Sequence, residues 1–281
     1  MQKYVITSDS TCDLTQEQIA EYGVVIKALT IVLDGKEYSD NIDINVEQVL
    51  AHVDNGGDLP KTAATSIEEY KEFFKPFVDE GKEVIHFNIS SKLSSCNQNA
   101  TNAGKELGNV YVVDSKQLST GQGLLIIKAA KMLSEGKSVK ETYEEILKLV
   151  DKIQTSFVVD RLDFLHKGGR CSLAQFIGAK LLKLHPHLSM VDGALKVKKK
   201  YQGNMRRSLD SYVNDLAAEY TSYDKSLAFI THCNADDEYV EMVLNKVKEV
   251  FEFDQVVVSK AGTTISSHCG KNTLGVLFIT E

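Results

Sequence analysis

Three apolar runs in the first half of the chain, KYVITS (3–8), EVIHFNI (83–89) and NVYVVDS (109–115), each give way to a segment of helical period. Short β-rich runs alternating with amphipathic helices are the pattern of a parallel sheet covered by helices. The helix starts are legible. Ser66 with Glu69 and Ser138 with Glu141 fit the capping box, in which hydroxyl and carboxylate satisfy each other's orphan amides. Gly81 and Gly136 stand where helices should close. A hairpin is predicted in LTIVLDGKEYSD (29–40), with Asp34 and Gly35 at the two positive-φ positions of a type I′ turn.

The second half reads differently. Asp192 and Gly193 form another Asp-Gly turn between HLSMV and ALKVKKK, followed by strand SLAFITHC (226–233), helix DDEYVEMVLNKVKEVF (236–251) and strands QVVVSK (255–260) and TLGVLFIT (273–280). That order predicts a mixed or antiparallel α/β domain. At 281 residues the chain suits two domains, residues 1–154 and 155–281, divided near Gln154 by the change of pattern alone.

A net charge of −7 argues against a nucleic-acid protein, which carries a basic face over much of its surface. No apolar segment approaches the ~18 residues that cross a bilayer, and MQKYVITSDS lacks the pattern of a signal peptide, so a cytoplasmic protein is expected. The five cysteines, Cys12, Cys96, Cys171, Cys233 and Cys269, are widely spaced with no CxxC pair, and reduced thiols are expected.

The chemistry concentrates in hydroxyl-rich turns. ISSKLSSC (89–96) brings Ser94 and its neighbours to a strand-to-helix turn, where free amides and hydroxyls suit an oxyanion such as a carboxylate or phosphate. A plain helix cap, worth about 1 kcal/mol, explains Ser94 equally well. SDSTCD (8–13), PKTAATS (60–66) and VVDSKQLSTGQG (112–123) have the same character, and together they suggest one shared anion site. In LHKGGRCS (165–172), Gly168 and Gly169 let the backbone approach an anion while Arg170 offers a forked donor. It lacks the ending of a Walker loop, so ATP binding is not expected. His268 in ISSHCG (265–270) belongs to no HxH or HxxxH set, and His185 and His187 lack a third ligand, so no metal is expected. A serine triad lacks its GxSxG elbow.

Taken together, TSDSTCDL, PKTAATS, ISSKLSSCNQNA, VVDSKQLSTGQGLLI, LDFLHKGGRCS and SSHCGKNTLGVLF resemble, in order and nearly end to end, the DegV family of bacterial fatty-acid-binding proteins. The resemblance implies a Rossmann-like parallel-sheet domain and a second mixed α/β domain enclosing one long-chain fatty acid such as palmitate, stearate or oleate, with no cofactor. It implies a carrier without catalysis of its own, which delivers the acid to a separate kinase subunit for acyl-phosphate formation and phospholipid synthesis. Residue by residue, it implies that Thr62, Ser94 and His268 contact the carboxylate and that Arg170 supports phosphoryl transfer. Ser95, Cys96, Ser119, Gly168 and Gly169 are nearby candidates.

The chain departs from the family pattern where Ser95, Cys96 and Asn97 replace Gly, Thr and Tyr, and where Gln202 and Asn204 replace basic residues near the second hairpin. Apolar walls are expected from segments such as 175–184 and 124–133. The rival reading is an enzyme, an acyl hydrolase or phosphotransferase, using the same anion pocket.

Overall fold

A computed structural model describes residues 3–161, 164–165, 168–170 and 184–281. The first half builds β1 (Tyr4–Asp9), α1 (Gln16–Tyr22), β2 (Val24–Lys27), β3 (Thr30–Leu33), β4 (Lys36–Ser39), α2 (Val46–Asp54), β5 (Lys61–Ala63), α3 (Ile67–Asp79), β6 (Glu83–Asn88), α4 (Cys96–Leu107), β7 (Val110–Asp114), α5 (Thr120–Ser134) and α6 (Val139–Leu149). Strands β2, β1, β6 and β7 form, in that order, an entirely parallel sheet. The expected α/β class is what the chain adopts.

Both expected capping boxes are formed, Ser66 with Glu69 and Ser138 with Glu141, and Thr15–Gln18 and Asn45–Gln48 form two more. Gly81 and Gly136 sit at φ +74° and +94° just beyond α3 and α5. Asp34 and Gly35 turn at φ +49° and +74° between β3 and β4, and β5 joins the other edge of β3 to complete a small antiparallel sheet.

The second half builds β8 (Ile153–Val158), β9 (Leu184–Val191), β10 (Ala194–Gln202), β11 (Tyr223–Cys233), β12 (Val256–Lys260) and β13 (Thr273–Thr280). They form a sheet of order β10-β9-β8-β13-β11-β12 in which only β11 and β12 pair in parallel. Helices Met205–Glu219 and Asp237–Val250 pack on it around Leu209, Tyr212, Val243 and Val247.

Helix α5 joins the halves. Leu124 through Ile127 are all buried, against Ile6, Ile85 and Phe87 of the parallel sheet and Phe229, Leu277 and Ile279 of the mixed one. Over Leu124–Ile127 the helix is clothed on all sides and apolar all round, which lowers the amphipathic contrast of its sequence, while Lys131 and Ser134 near its end are exposed.

Candidate functional site

The site is built around the short helix Thr263–Cys269, which follows β12 and carries His268 in its last turn. Its first turn is held from the other half of the chain. Asp40 Oδ1 accepts the amide hydrogens of Thr263 (2.9 Å) and Thr264 (3.3 Å), and Oδ2 accepts the hydroxyls of Thr264 (2.6 Å) and Ser10 (2.7 Å). Beside it, Asp13 Oδ1 accepts the Gly262 amide at 2.8 Å, and its Oδ2 accepts the Ser119 hydroxyl at 2.5 Å. Burial pushes the Asp13 carboxyl up to about 8, and the hydrogen bonds from Ser119 and Gly262 only partly offset it.

Held this way, His268 reaches β5. Its Nε2 lies 2.9 Å from Thr62 Oγ1. Its Nδ1 is buried without a hydrogen-bond partner and faces Gly168, where even a Cβ would come within 2.5 Å of that nitrogen. Burial first, then the nearby Arg170 guanidinium, lowers the imidazole to about 4, so it is neutral at pH 7. Arg170 is tied back by an Nη1 bond to the Gly168 carbonyl at 2.7 Å.

Ser94 approaches from the turn before α4. It is not the cap residue, which is Ser95 and makes no side-chain capping bond. Ser94 Oγ instead accepts the Cys96 amide at 3.2 Å and lies 3.1 Å from Cys96 Sγ.

These groups border one cavity of about 280 Å³. Among the described residues, Thr62, Ser94, Ser95, Arg170, Thr264 and His268 supply its polar lining, and Leu29, Ile89, Leu93, Leu165, Leu195 and Ile265 its apolar lining. A neutral hydroxyl–imidazole cluster with one guanidinium, set against aliphatic walls, suits a ligand with one anionic end and a long apolar remainder.

Other expected residues fall elsewhere. Cys96 is fully buried behind Ser94, whereas the Cys269 side chain reaches the cavity wall. Gly169 makes a left-handed turn at φ +68°. Ser119 does not border the cavity. It adopts φ +56° and serves Asp13. The SDSTCD turn likewise serves the carboxylate network: Thr11 bonds Asp9, Ser10 bonds Asp40, and Ser10, Cys12 and Asp13 border a separate cleft of about 780 Å³ beside β2 and β12. Residues 124–133, expected among the walls, form the shared core instead, because α5 is enclosed between the two sheets. Of the other expected wall, residues 175–183 lie outside the described residues, as do Lys167 and Cys171.

His187 stacks edge-on against Tyr212, and His185 lies 3.5 Å from Asp160. Among the described residues, no group of three His, Cys, Asp or Glu side chains is arranged to hold a metal ion, and no helix is long and apolar enough to cross a membrane.

Sequence reasoning on residues alone missed Asp40 and Thr264. Asp40 closes the segment read as a hairpin, Thr264 falls just before the ISSHCG segment, and their contact spans 224 positions.

Comparison with known proteins returned one consistent result. The family model described as uncharacterised proteins of the DegV family matches residues 3–281. A DegV domain-containing protein of Caldanaerobacter subterraneus is 30% identical over 99% of both chains. Among solved structures, a DegV family protein from Thermus thermophilus, described for its fatty acid binding, superposes with a TM-score of 0.92 at 27% identity, covering 100% of both chains. A stearic acid-binding protein from Eubacterium ventriosum superposes at 0.84 with 27% identity, over 99% of this chain and 98% of the other.

Proposed function

The chain belongs to the DegV family, and from that premise we propose that it is a cytoplasmic carrier. It binds one long-chain fatty acid and presents the carboxyl group to a separate kinase subunit for acyl-phosphate formation. The observation that carries this reading is the meeting of Thr62, His268, Ser94 and Arg170 at one cavity whose other walls are aliphatic. The binding of fatty acid by the Thermus thermophilus and Eubacterium ventriosum proteins supports it.

The division of labour follows from magnitudes. A sixteen-carbon acid has about fifteen CH2 and CH3 groups, and at ~0.8 kcal/mol each their gross burial is worth roughly 12 kcal/mol before association costs. Hydroxyl bonds to the carboxylate largely replace bonds it already made to water, so they place the head rather than hold the molecule. With His268 neutral, its Nε2–H can donate to Thr62 Oγ1, which leaves the Thr62 hydrogen for the carboxylate. Arg170 then offers the charge that a carboxylate turning into an acyl phosphate requires.

The surface that meets the kinase differs here from a plain basic patch. Lys198 pairs with Glu219 and Lys199 with Asp215, while Asn204 caps helix Met205–Glu219 through the Arg207 amide at 2.9 Å. Positive charge on β10 is thus partly neutralised within the chain, and docking through it should be weak and salt-sensitive.

The rival is an enzyme using the same pocket. Mass spectrometry of the purified protein, native and then denatured, separates the two. A carrier shows an excess of one intact fatty acid that is lost on denaturation. An empty protein that refuses added palmitate and oleate, yet turns over an acyl ester or acyl phosphate, overturns the carrier reading.

A further inference from the structure

Ser90, which follows β6 and opens the turn that carries Ser94, has every polar group it owns committed. Its amide donates to the Gln117 carbonyl at 2.8 Å, and its own carbonyl accepts the amides of Leu93 (2.9 Å) and Ser94 (3.1 Å), which closes the turn. Its hydroxyl accepts the Lys92 amide at 3.3 Å and donates to the other half of the chain, to the Gly193 carbonyl at 2.6 Å. Ser90 and Gly193 are both buried, so a lost bond here leaves an acceptor that water does not reach.

Gly193 stands at the tip of the β9–β10 hairpin with φ +79°, and a Cβ there would meet Ser90 Oγ at 2.7 Å. Strand β10 is an edge of its sheet, and its register with β9 shifts between Val197 and Lys199, so the sheet grips the hairpin on one side only. Just beyond the tip, Leu195 borders the same cavity as Leu93 and Ser94. Met190, Leu195 and Val197 of the hairpin pack, with Leu93, on the apolar cluster that holds the cavity walls Ile89, Leu165 and Ile265. The Ser90 hydroxyl therefore ties the turn of the head-group serine to a strand that walls the cavity.

We propose that Ser90 is a positioning residue of the lipid site, a latch that holds the β9–β10 hairpin against the Ser94 turn and sets the rate at which a bound fatty acid leaves. The inference rests on the fatty-acid reading above. An apolar tail enclosed by Leu93 and Leu195 leaves only when those walls part, and the latch is the polar bond that opposes their parting. Easier opening speeds entry as well as exit, so the latch acts on both rates and only weakly on affinity.

The test follows release of cis-parinaric acid, a fluorescent fatty acid, from the full chain into excess palmitate by stopped flow, beside its equilibrium affinity. The variants are S90A, G193A, their double mutant, and V139A as a core control in a cluster apart from the cavity. S90A and G193A are each expected to speed release about ten-fold, the scale of one buried hydrogen bond, and to change affinity less than about three-fold. The double mutant is expected to release no more than about two-fold faster than the faster single one, because both remove the same contact. V139A should lower the urea midpoint and leave release within about two-fold of the wild type. Release rates unchanged in S90A and G193A overturn the proposal, as do gains that multiply in the double mutant. Equal acceleration by V139A means that Ser90 only stabilises the fold, and overturns it too; if S90A does not fold, G193A against V139A decides the same point. A wild-type protein that binds neither cis-parinaric acid nor palmitate overturns the fatty-acid reading itself, and the inference falls with it.

Discussion

Thr62 and His268 are separated by 206 positions in the chain and meet through a single hydrogen bond of 2.9 Å. One stands on the short strand β5, paired to β3 with Thr62 opposite Ile31, and the other on a seven-residue helix between β12 and β13. Removing the bond at Thr62 with little change of shape is therefore informative. T62V is expected to keep its fatty acid through purification, because the tail dominates affinity, but to bind palmitate about three- to ten-fold more weakly. S94A is expected to behave similarly. Fluorescent displacement against the wild type measures both, and complete loss of binding in a folded T62V protein contradicts the assigned division of labour.

Gly168 is required by space. A methyl group there would meet His268 Nδ1 at 2.5 Å and the Phe164 carbonyl oxygen at 2.9 Å. G168A must displace the imidazole or the backbone, at a cost of about 1–3 kcal/mol typical of overpacking. Urea denaturation should show that loss, and His268 should leave Thr62, so that palmitate binding weakens in the same variant. A G168A protein of wild-type stability and affinity would show that this wall yields freely.

What could be read along the chain and what could not divide by distance. The strands around Ile6, Ile85 and Val112, the boxes at Ser66 and Ser138, and the turns at Asp34 and Asp192 are local, because apolar period, cap chemistry and turn chemistry are written within a few residues. The boxes at Thr15 and Asn45 carried the same signal with Gln in place of Glu and could have been found that way. Strands β2 and β5, of four and three residues, are too short to show a period. The pairing of Thr62 with His268 had no local mark: the residues alone singled out the PKTAATS turn and His268 separately, and only the family resemblance assigned both to one carboxylate. Ser119 looked like an anion-binding hydroxyl, yet its left-handed backbone turns it to Asp13, a choice dictated by a partner 106 positions away.

Asp40 fixes the helix that presents His268, and its two oxygens make distinct demands. Oδ1 serves only amide donors, whereas Oδ2 serves two hydroxyls, which can reverse direction. D40N can keep the first set and donate from its amide to Ser10 and Thr264, so a loss of roughly 1 kcal/mol is expected. D40A leaves buried donors unpaired and should cost about 3 kcal/mol. Chemical denaturation of the two variants checks the order, and equal losses would show that the charge of Asp40, rather than its bonding geometry, holds the helix.

Asp13 gives the fold a pH dependence of unusual sign. Its carboxyl is raised by burial to about 8 in the folded chain, from a usual value of 3.8. The folded state therefore holds a proton that the unfolded state has released, and the contribution to stability is present in full below pH 4 and lost as pH rises through about 8. The buried histidines act oppositely: His268 and His187 are lowered to about 4 and His86 to about 3, so their contributions are present above pH 6.5 and lost on acidification. Between pH 4 and about 7 the two effects oppose each other, but from about pH 7.5 to 8.5 the histidines are essentially neutral in both states and Asp13 acts alone among these four groups. Thermal unfolding of the wild type is expected to move to lower temperature across that interval, whereas D13N, which cannot ionise, should lose most of that slope while its Oδ1 still accepts the Gly262 amide hydrogen and its amide donates to the Ser119 hydroxyl oxygen, which can reverse its role. An identical slope in D13N and the wild type would assign the dependence to another group.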